Sequence, residues 1–150
     1  MLQKIDKFDG DFAFLSNFYP ATIDMDGMSF QSSEAAYQAQ KCLNAMDKFQ
    51  FCTLNARDAK KLGRKIRIRP DWEDIKDKVM ARILELKFSQ HPDLGNLLIA
   101  TGDTELIEGN HWRDIYWGVC DGVGKNRLGE LLMQVRSELR LEKDFNPNGR

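Results

Sequence analysis

The chain has 150 residues, 42% of them hydrophobic and 30% charged, a balance that suits one folded domain with a core of its own and excludes a disordered or membrane-embedded polypeptide. Lys and Arg number 22 against 23 Asp and Glu, and the resulting net charge of -1 excludes a protein held on nucleic acid by bulk electrostatics; any such contact would be local. No stretch approaches the roughly 18 apolar residues of a membrane helix, the charged N-terminus carries no signal core, and three cysteines without a CxxC pair suit a reduced interior, so the expected setting is cytoplasmic and away from membranes.

In the N-terminal region Ala21, Ile23 and Met25 fall on one side of a strand, Asp26-Gly27 signals a tight turn, and Met28 to Phe30 returns, which predicts a short hairpin. Ser32 or Ser33 then caps a helix running through Glu34 to Lys41. A second helix begins at Asn55, covers Ala56 to Leu62 and stops at Gly63, a residue type that accepts the left-handed conformation of a helix end. Asp71, just after Pro70, opens a long helix whose Trp72, Ile75, Val79, Ile83 and Leu86 recur at spacings of three and four as a core stripe. A short helix over Leu94 to Ala100 follows Pro92 and is closed by Gly102. From Glu105 to Val119, apolar residues scattered among Gly and Asn predict short strands and ordered loops. The last helix, Asn126 to about Leu141, buries Leu128, Leu131, Leu132, Val135 and Leu139, and Asn146 to Arg150 are expected to fray. No linker, repeat or low-complexity run divides the sequence, so residues 1–150 read as a single domain.

Three groups of residues carry chemistry. Glu34, Gln38 and Lys41 stand at i, i+4 and i+7, which puts a carboxylate, an amide and an amine on one helical face. Ala35, Ala36 and Ala39 lie opposite and permit close approach to the core, while the helix dipole stabilises Glu34 as an anion; a plain solvated charge network has the same spacing. Lys60, Lys61, Arg64, Lys65, Arg67 and Arg69 fall within ten residues, which suits a bound phosphate or, equally, cations set against a negative helix end. The third group runs from Asn110 to Gly118 and adds Gly122, Gly124 and Asn126. Its Trp and Tyr can stack on a planar base, and Asp114 and Asn126 can bond the base edge or a ribose hydroxyl. Trp117 beside Gly118 is a ligand candidate, whereas Trp72 belongs in the core. His91 and His111 are too few for a His-based zinc centre or a Ser-His-Asp triad, so no metal is expected.

Five blocks then point to a family. Phe14 to Pro20, Ser33 to Lys41, Asp71-Trp72-Glu73 with Lys76, Val79-Met80 and Lys87-Phe88, Asp114 to Gly118, and Gly124 to Gly129 with Leu132-Met133 closely resemble the NADAR superfamily, also known as YbiA-like proteins. The resemblance covers nearly the whole chain. It implies a compact, mainly helical α+β fold and N-glycosidase activity on ribose-linked nitrogen without a cofactor. Members of the family act on phosphoribosylamino-pyrimidine intermediates of riboflavin synthesis, and others remove ADP-ribose from guanine in DNA. The family's catalytic Glu corresponds to Glu34, its proposed Lys nucleophile to Lys41, and Asp114 joins the catalytic group. The implied substrate contacts are Asn17 and Phe18 of the first block and Trp117, Gly118 and Asn126 of the later ones, together with Gln38, Arg64 and Arg69 from the polar face and the basic run. Ala35-Ala36-Tyr37 stands where many members carry bulkier or His residues, which implies a differently shaped base pocket.

The chemistry agrees. Breaking a ribosyl C–N bond builds positive charge at the anomeric carbon, which a carboxylate such as Glu34 stabilises, while a second group activates water or protonates the departing nitrogen. A glycosylamine also opens to an imine, whose carbon a neutral Lys41 could capture as a Schiff base; direct attack by water is the other route. Three functions therefore compete: an N-glycosidase for phosphoribosylated aminopyrimidines, a hydrolase stripping ADP-ribose from a nucleic-acid base, and a module that binds ADP-ribose or NAD without turnover. Glu34 and Lys41 on one face favour catalysis, since binding alone needs neither at that spacing.

Overall fold

A computed structural model describes residues 3–146. In chain order they form β1 (Lys4–Ile5), a 3-10 turn over Gly10–Leu15, β2 (Pro20–Met25), β3 (Met28–Ser32), α1 (Ser33–Ala39), α2 (Ala45–Phe49), a second 3-10 turn over Gln50–Thr53, α3 (Ala56–Gly63), α4 (Trp72–Gln90), α5 (Pro92–Ala100), β4 (Glu105–Leu106), β5 (Gly109–Asn110), β6 (Val119–Cys120) and α6 (Arg127–Phe145). The class is mainly helical α+β with a short hairpin near the N-terminus. The elements group into two compact units, Asn17–Gln90 and a second one drawn from Met1–Ser16 and His91–Arg150. No helix among the described residues is long and apolar enough to cross a membrane. Of the C-terminal residues expected to fray, 147–150 lie outside the described residues.

In the unit Asn17–Gln90, Asp26 at φ 53° and Gly27 at φ 81° make the two-residue turn whose twist matches that of its strands. Met25 pairs with Met28 and Ile23 with Phe30, and a bulge between Pro20 and Ile23 shifts the register. Ala21, Ile23, Met25 and Phe30 are buried, so one face of β2 and β3 forms core. Helix α4 laces onto the hairpin: Arg82 clasps Asp26 with a two-toothed fork at 2.8 and 3.1 Å, and Gln90 bonds both the N–H and the C=O of Asp24. Ser32 caps α1 by accepting the Ala35 N–H at 3.1 Å, as its position before the helix suggested.

Two expectations for this unit are corrected. The buried residues of α4 are Trp72, Met80, Ile83, Leu84, Lys87 and Phe88, while Ile75, Val79 and Leu86 are half-buried. The buried ridge climbs by fours from Trp72 through Met80 and Leu84 to Phe88, and lysines on its flank hid it from a hydrophobic count. Secondly, Gly63 is the last residue of α3 itself and not a left-handed terminator. Helix α2 was not foreseen, because none of its residues is buried; Asn44 and Asp47 hold its start by exchanging hydrogen bonds at 2.8 and 2.9 Å.

Lys87 is fully buried, with Nζ 5.2 Å from the Phe88 ring centre and 5.8 Å from that of Tyr19. Burial lowers its pKa from 10.5 to about 7. Between those values the unfolded chain binds the extra proton and the folded chain does not, so stability rises with pH across this window and is lost as pH falls toward 7. The slope is at most about 1.4 kcal/mol per pH unit. Melting curves should therefore show a midpoint climbing from pH 7 to 8.5, and Lys87→Met should flatten that climb; an unchanged slope in the variant would contradict this account.

In the other unit β1 pairs parallel with β4, and β5 parallel with β6, two residues each. Helices α5 and α6 pack together, and α6 also covers β4. Pro92 occupies the start of α5, and Gly102 beyond its end has φ 66°. Helix α6 runs on to Phe145; Leu139 is half-buried, whereas Arg136, one turn earlier, is buried. Its guanidinium donates at 2.8 Å to Thr101 Oγ1 and to the Thr104 carbonyl.

Candidate active site

All seven residues of α1 are buried, which rules out a solvated charge network on that helix. Glu34 is 8% exposed and Gln38 5%, with Ala35, Ala36 and Ala39 fully enclosed. The Gln38 amide donates from Nε2 to Glu34 Oε1 at 2.8 Å, so the i, i+4 spacing becomes a real bond to the carboxylate. The Glu34 N–H donates to the carbonyl of Asn17 at 3.0 Å, which ties the first block to the second. Asn17, itself 8% exposed, donates weakly to the Met80 sulfur at 3.5 Å. Among the described residues its Oδ1 and the Ser33 Oγ are buried without a hydrogen-bond partner, unusual polar capacity beside a buried carboxylate.

Lys41 lies just past the helix. Helix α1 ends at Ala39, and Lys41 sits in the following turn with its N–H donated to the Gln38 carbonyl at 3.2 Å. Its ammonium is 5.7 Å from the centre of the Tyr37 ring, which leans on Trp72 at 5.1 Å. Burial pushes the Lys41 pKa below the usual 10.5; the charges of Arg64 and Lys60 push the same way, while Glu34 and Glu73 oppose them. A larger share of neutral amine results.

The basic run divides. Arg69 donates its N–H to the Lys41 carbonyl at 2.9 Å, and its guanidinium forks onto Asp71 at 2.7 and 3.1 Å. Arg64 is exposed at the C-terminal end of α3 and makes no side-chain ion pair among the described residues. Lys60, another member of the basic run, has its Nζ 5.6 Å from the ring centre of Phe18, a ring 43% exposed.

The residues from the aromatic block belong to the other unit and form a tightly bonded loop. Asp114 Oδ1 accepts the N–H groups of Tyr116 and Trp117 at 3.2 and 2.9 Å, an Asx-type turn. The Asn110 side chain brackets the Asp114 backbone, accepting its N–H at 3.1 Å and donating to its carbonyl at 2.9 Å. Trp117 is half-buried and meets Tyr116 edge-on at 4.9 Å. Asn126 stands at φ 53° before α6 and bonds the Glu108 N–H and the Leu106 carbonyl, both at 2.9 Å. A Cβ on Gly118 would stand 1.8 Å from Glu108 Oε2, and one on Gly124 2.1 Å from the Gly118 carbonyl. The close approaches these glycines allow are thus between loop strands. Glu108 lies outside the aromatic block, and its bond to Asn126, 18 residues further on, is not legible from the sequence. Among the described residues no cluster of His, Cys, Asp or Glu could hold a metal ion.

The NADAR domain model matches residues 6–140. The chain belongs to the NADAR family. It is 39% identical over 137 residues to N-glycosidase YbiA of Escherichia coli (strain K12), covering 89% of this chain and 85% of that protein. The riboflavin biosynthesis protein VVA0006 of Vibrio vulnificus (strain YJ016) is 43% identical over 144 residues, 92% of this chain, but the NADAR chain spans only 38% of that protein's length. The NMR structure of E. coli YbiA superposes with a TM-score of 0.84 at 37% identity, over 95% of this chain and 89% of that one. This NADAR chain is accordingly an enzyme of the N-glycosidase class, which sets aside the reading as a module without turnover.

Proposed function

We propose that this N-glycosidase hydrolyses the ribosyl C–N bond of phosphoribosylamino-pyrimidines of the riboflavin-pathway type, acting as one domain in the cytoplasm. The observation that carries the reading is the buried Glu34 carboxylate, aligned by Gln38, with the low-pKa amine of Lys41 on the next turn. In the glycosylamine the ring oxygen leaves C1′, taking a proton, and the nitrogen lone pair forms an imine. Neutral Lys41 adds to C1′, the aminopyrimidine departs with a proton, and a lysyl imine remains. Water then adds to C1′, the C–N bond to lysine breaks, and ribose 5-phosphate leaves with the amine regenerated. Glu34 stabilises the cationic carbon at each stage and relays protons. Relatives named as riboflavin biosynthesis proteins support the substrate class, as does a net charge of -1, which gives a nucleic acid little to hold.

Incubating the purified chain with a phosphoribosylaminopyrimidine and, separately, with DNA carrying ADP-ribosylated guanine tests this directly. Mass spectrometry should find free base and ribose 5-phosphate from the first and intact adduct in the second. Release from the DNA alone would transfer the function to the nucleic-acid substrate.

The phosphate falls to Arg64, which makes no side-chain ion pair among the described residues, because the Arg69 fork already holds Asp71. Arg64→Ala should raise KM about tenfold with little change in kcat, since a phosphate is bound alike in ground and transition states. Arg69→Ala should instead lower thermal stability, by freeing Asp71 and the segment bonded to Lys41. Equal KM values for phosphorylated and dephosphorylated substrate would remove Arg64 from this role.

A further inference from the structure

Gln38 is held oddly for a buried amide. Its Nε2 is committed to Glu34, so its Oε1 points the other way, and among the described residues that oxygen accepts no hydrogen bond. What it meets is Gly63 of α3, where a Cβ would stand 1.9 Å from Oε1, 2.7 Å from Cδ and 3.3 Å from Cγ. The backbone does not demand glycine there, since Gly63 lacks the positive φ of the turn glycines. Helix propensity also disfavours it, by about 1 kcal/mol against alanine. The requirement is space.

We propose that Gly63 is a positioning residue for the reaction: by presenting bare backbone to Gln38 it lets the amide reach Glu34 and fixes the rotamer of the catalytic carboxylate. The inference rests on the reading of Glu34 as that carboxylate. A methyl group at position 63 would press on the far end of a flexible side chain and not on backbone, so the fold yields easily while the amide leaves Glu34. Displacement on the scale of an ångström at a reacting group costs up to about 10²-fold in rate.

The test is a double-mutant cycle on turnover of phosphoribosylaminopyrimidine, with circular dichroism and melting curves recorded for each variant. Gly63→Ala and Gln38→Ala should each lower kcat about tenfold or more with KM nearly constant. Both should move the lower of the two rising steps of the pH–kcat profile, that of the Glu34 carboxylate, to higher pH, since each removes a hydrogen bond to the ionised carboxylate, while the upper step belongs to Lys41. The double variant should be no slower than either single one, because position 63 acts only through Gln38. Wild-type kcat in Gly63→Ala, or effects that multiply in the double variant, would overturn the proposal. Should Gly63→Ala fail to fold, the double variant must regain the fold; continued unfolding would show that something other than Gln38 needs the space. Glu34→Gln separates the two levels: full activity there overturns the reading of Glu34, whereas an inactive Glu34→Gln beside a fully active Gly63→Ala overturns only the positioning role.

Discussion

Glu34→Gln is expected to fold as the wild type does and to lower kcat by about 10² or more. The substitution keeps the shape of a side chain only 8% exposed, and its amide oxygen can still accept from Gln38 Nε2, so neither packing nor the local hydrogen bond need change. What disappears is the negative charge. In water that charge would be worth little to a cation forming nearby, but among Ala35, Ala36, Ala39 and Tyr37 the screening is weak and the attraction correspondingly larger. Positive charge at the anomeric carbon exists in the transition state and hardly in the bound glycosylamine, so the loss should appear in kcat, with KM nearly constant. Steady-state kinetics beside a melting curve make the measurement. A folded variant with undiminished kcat would remove Glu34 from the mechanism.

What the sequence disclosed and what it hid follow from the range of the interactions. The hairpin turn was legible because Asp26 and Gly27 are themselves the residues that tolerate positive φ, and Ser32 was legible as a cap because its bond reaches only three residues ahead. The i, i+4 relation of Glu34 and Gln38 was local and stands as a bond. Whether that polar face met solvent or core was not local: α3 packs on it from more than twenty residues away, and only then does Gly63 acquire its reason. Read in isolation, a glycine at a helix end announces a terminator; in the fold it is a space for Gln38. Asp114 and Asn126 teach the converse, since side chains with ligand-binding chemistry also knot loops, and their partners at Trp117, Glu108 and Leu106 become visible only with coordinates. Lys87 shows the limit of counting hydrophobic residues, because a lysine occupies one of the most enclosed positions of α4.

Lys41 is where a decisive covalent result can be obtained. Seven residues after Glu34, its amine can serve either as a nucleophile or as the partner that orients that carboxylate. In the structure the bond to Glu34 Oε1 comes from Gln38, and Lys41 forms no ion pair with Glu34 among the described residues, which leaves the amine available. Its lowered pKa, caused first by burial, raises the fraction of neutral amine at neutral pH, and only that form attacks carbon. Borohydride added during turnover should therefore reduce a lysyl imine to a stable amine, and peptide mass spectrometry should place a ribosyl phosphate adduct on Lys41. Lys41→Arg should abolish both adduct and activity, since a guanidinium keeps the charge but never loses its proton. The rise of kcat with pH should have its midpoint below the ordinary lysine value of 10.5, because deprotonation of a lysine with a depressed pKa switches the nucleophile on. Were Lys41 only an electrostatic neighbour, Lys41→Arg would retain appreciable activity and borohydride would trap nothing. An adduct on a different lysine, Lys125 for example, would keep the imine route and move the nucleophile elsewhere in the chain.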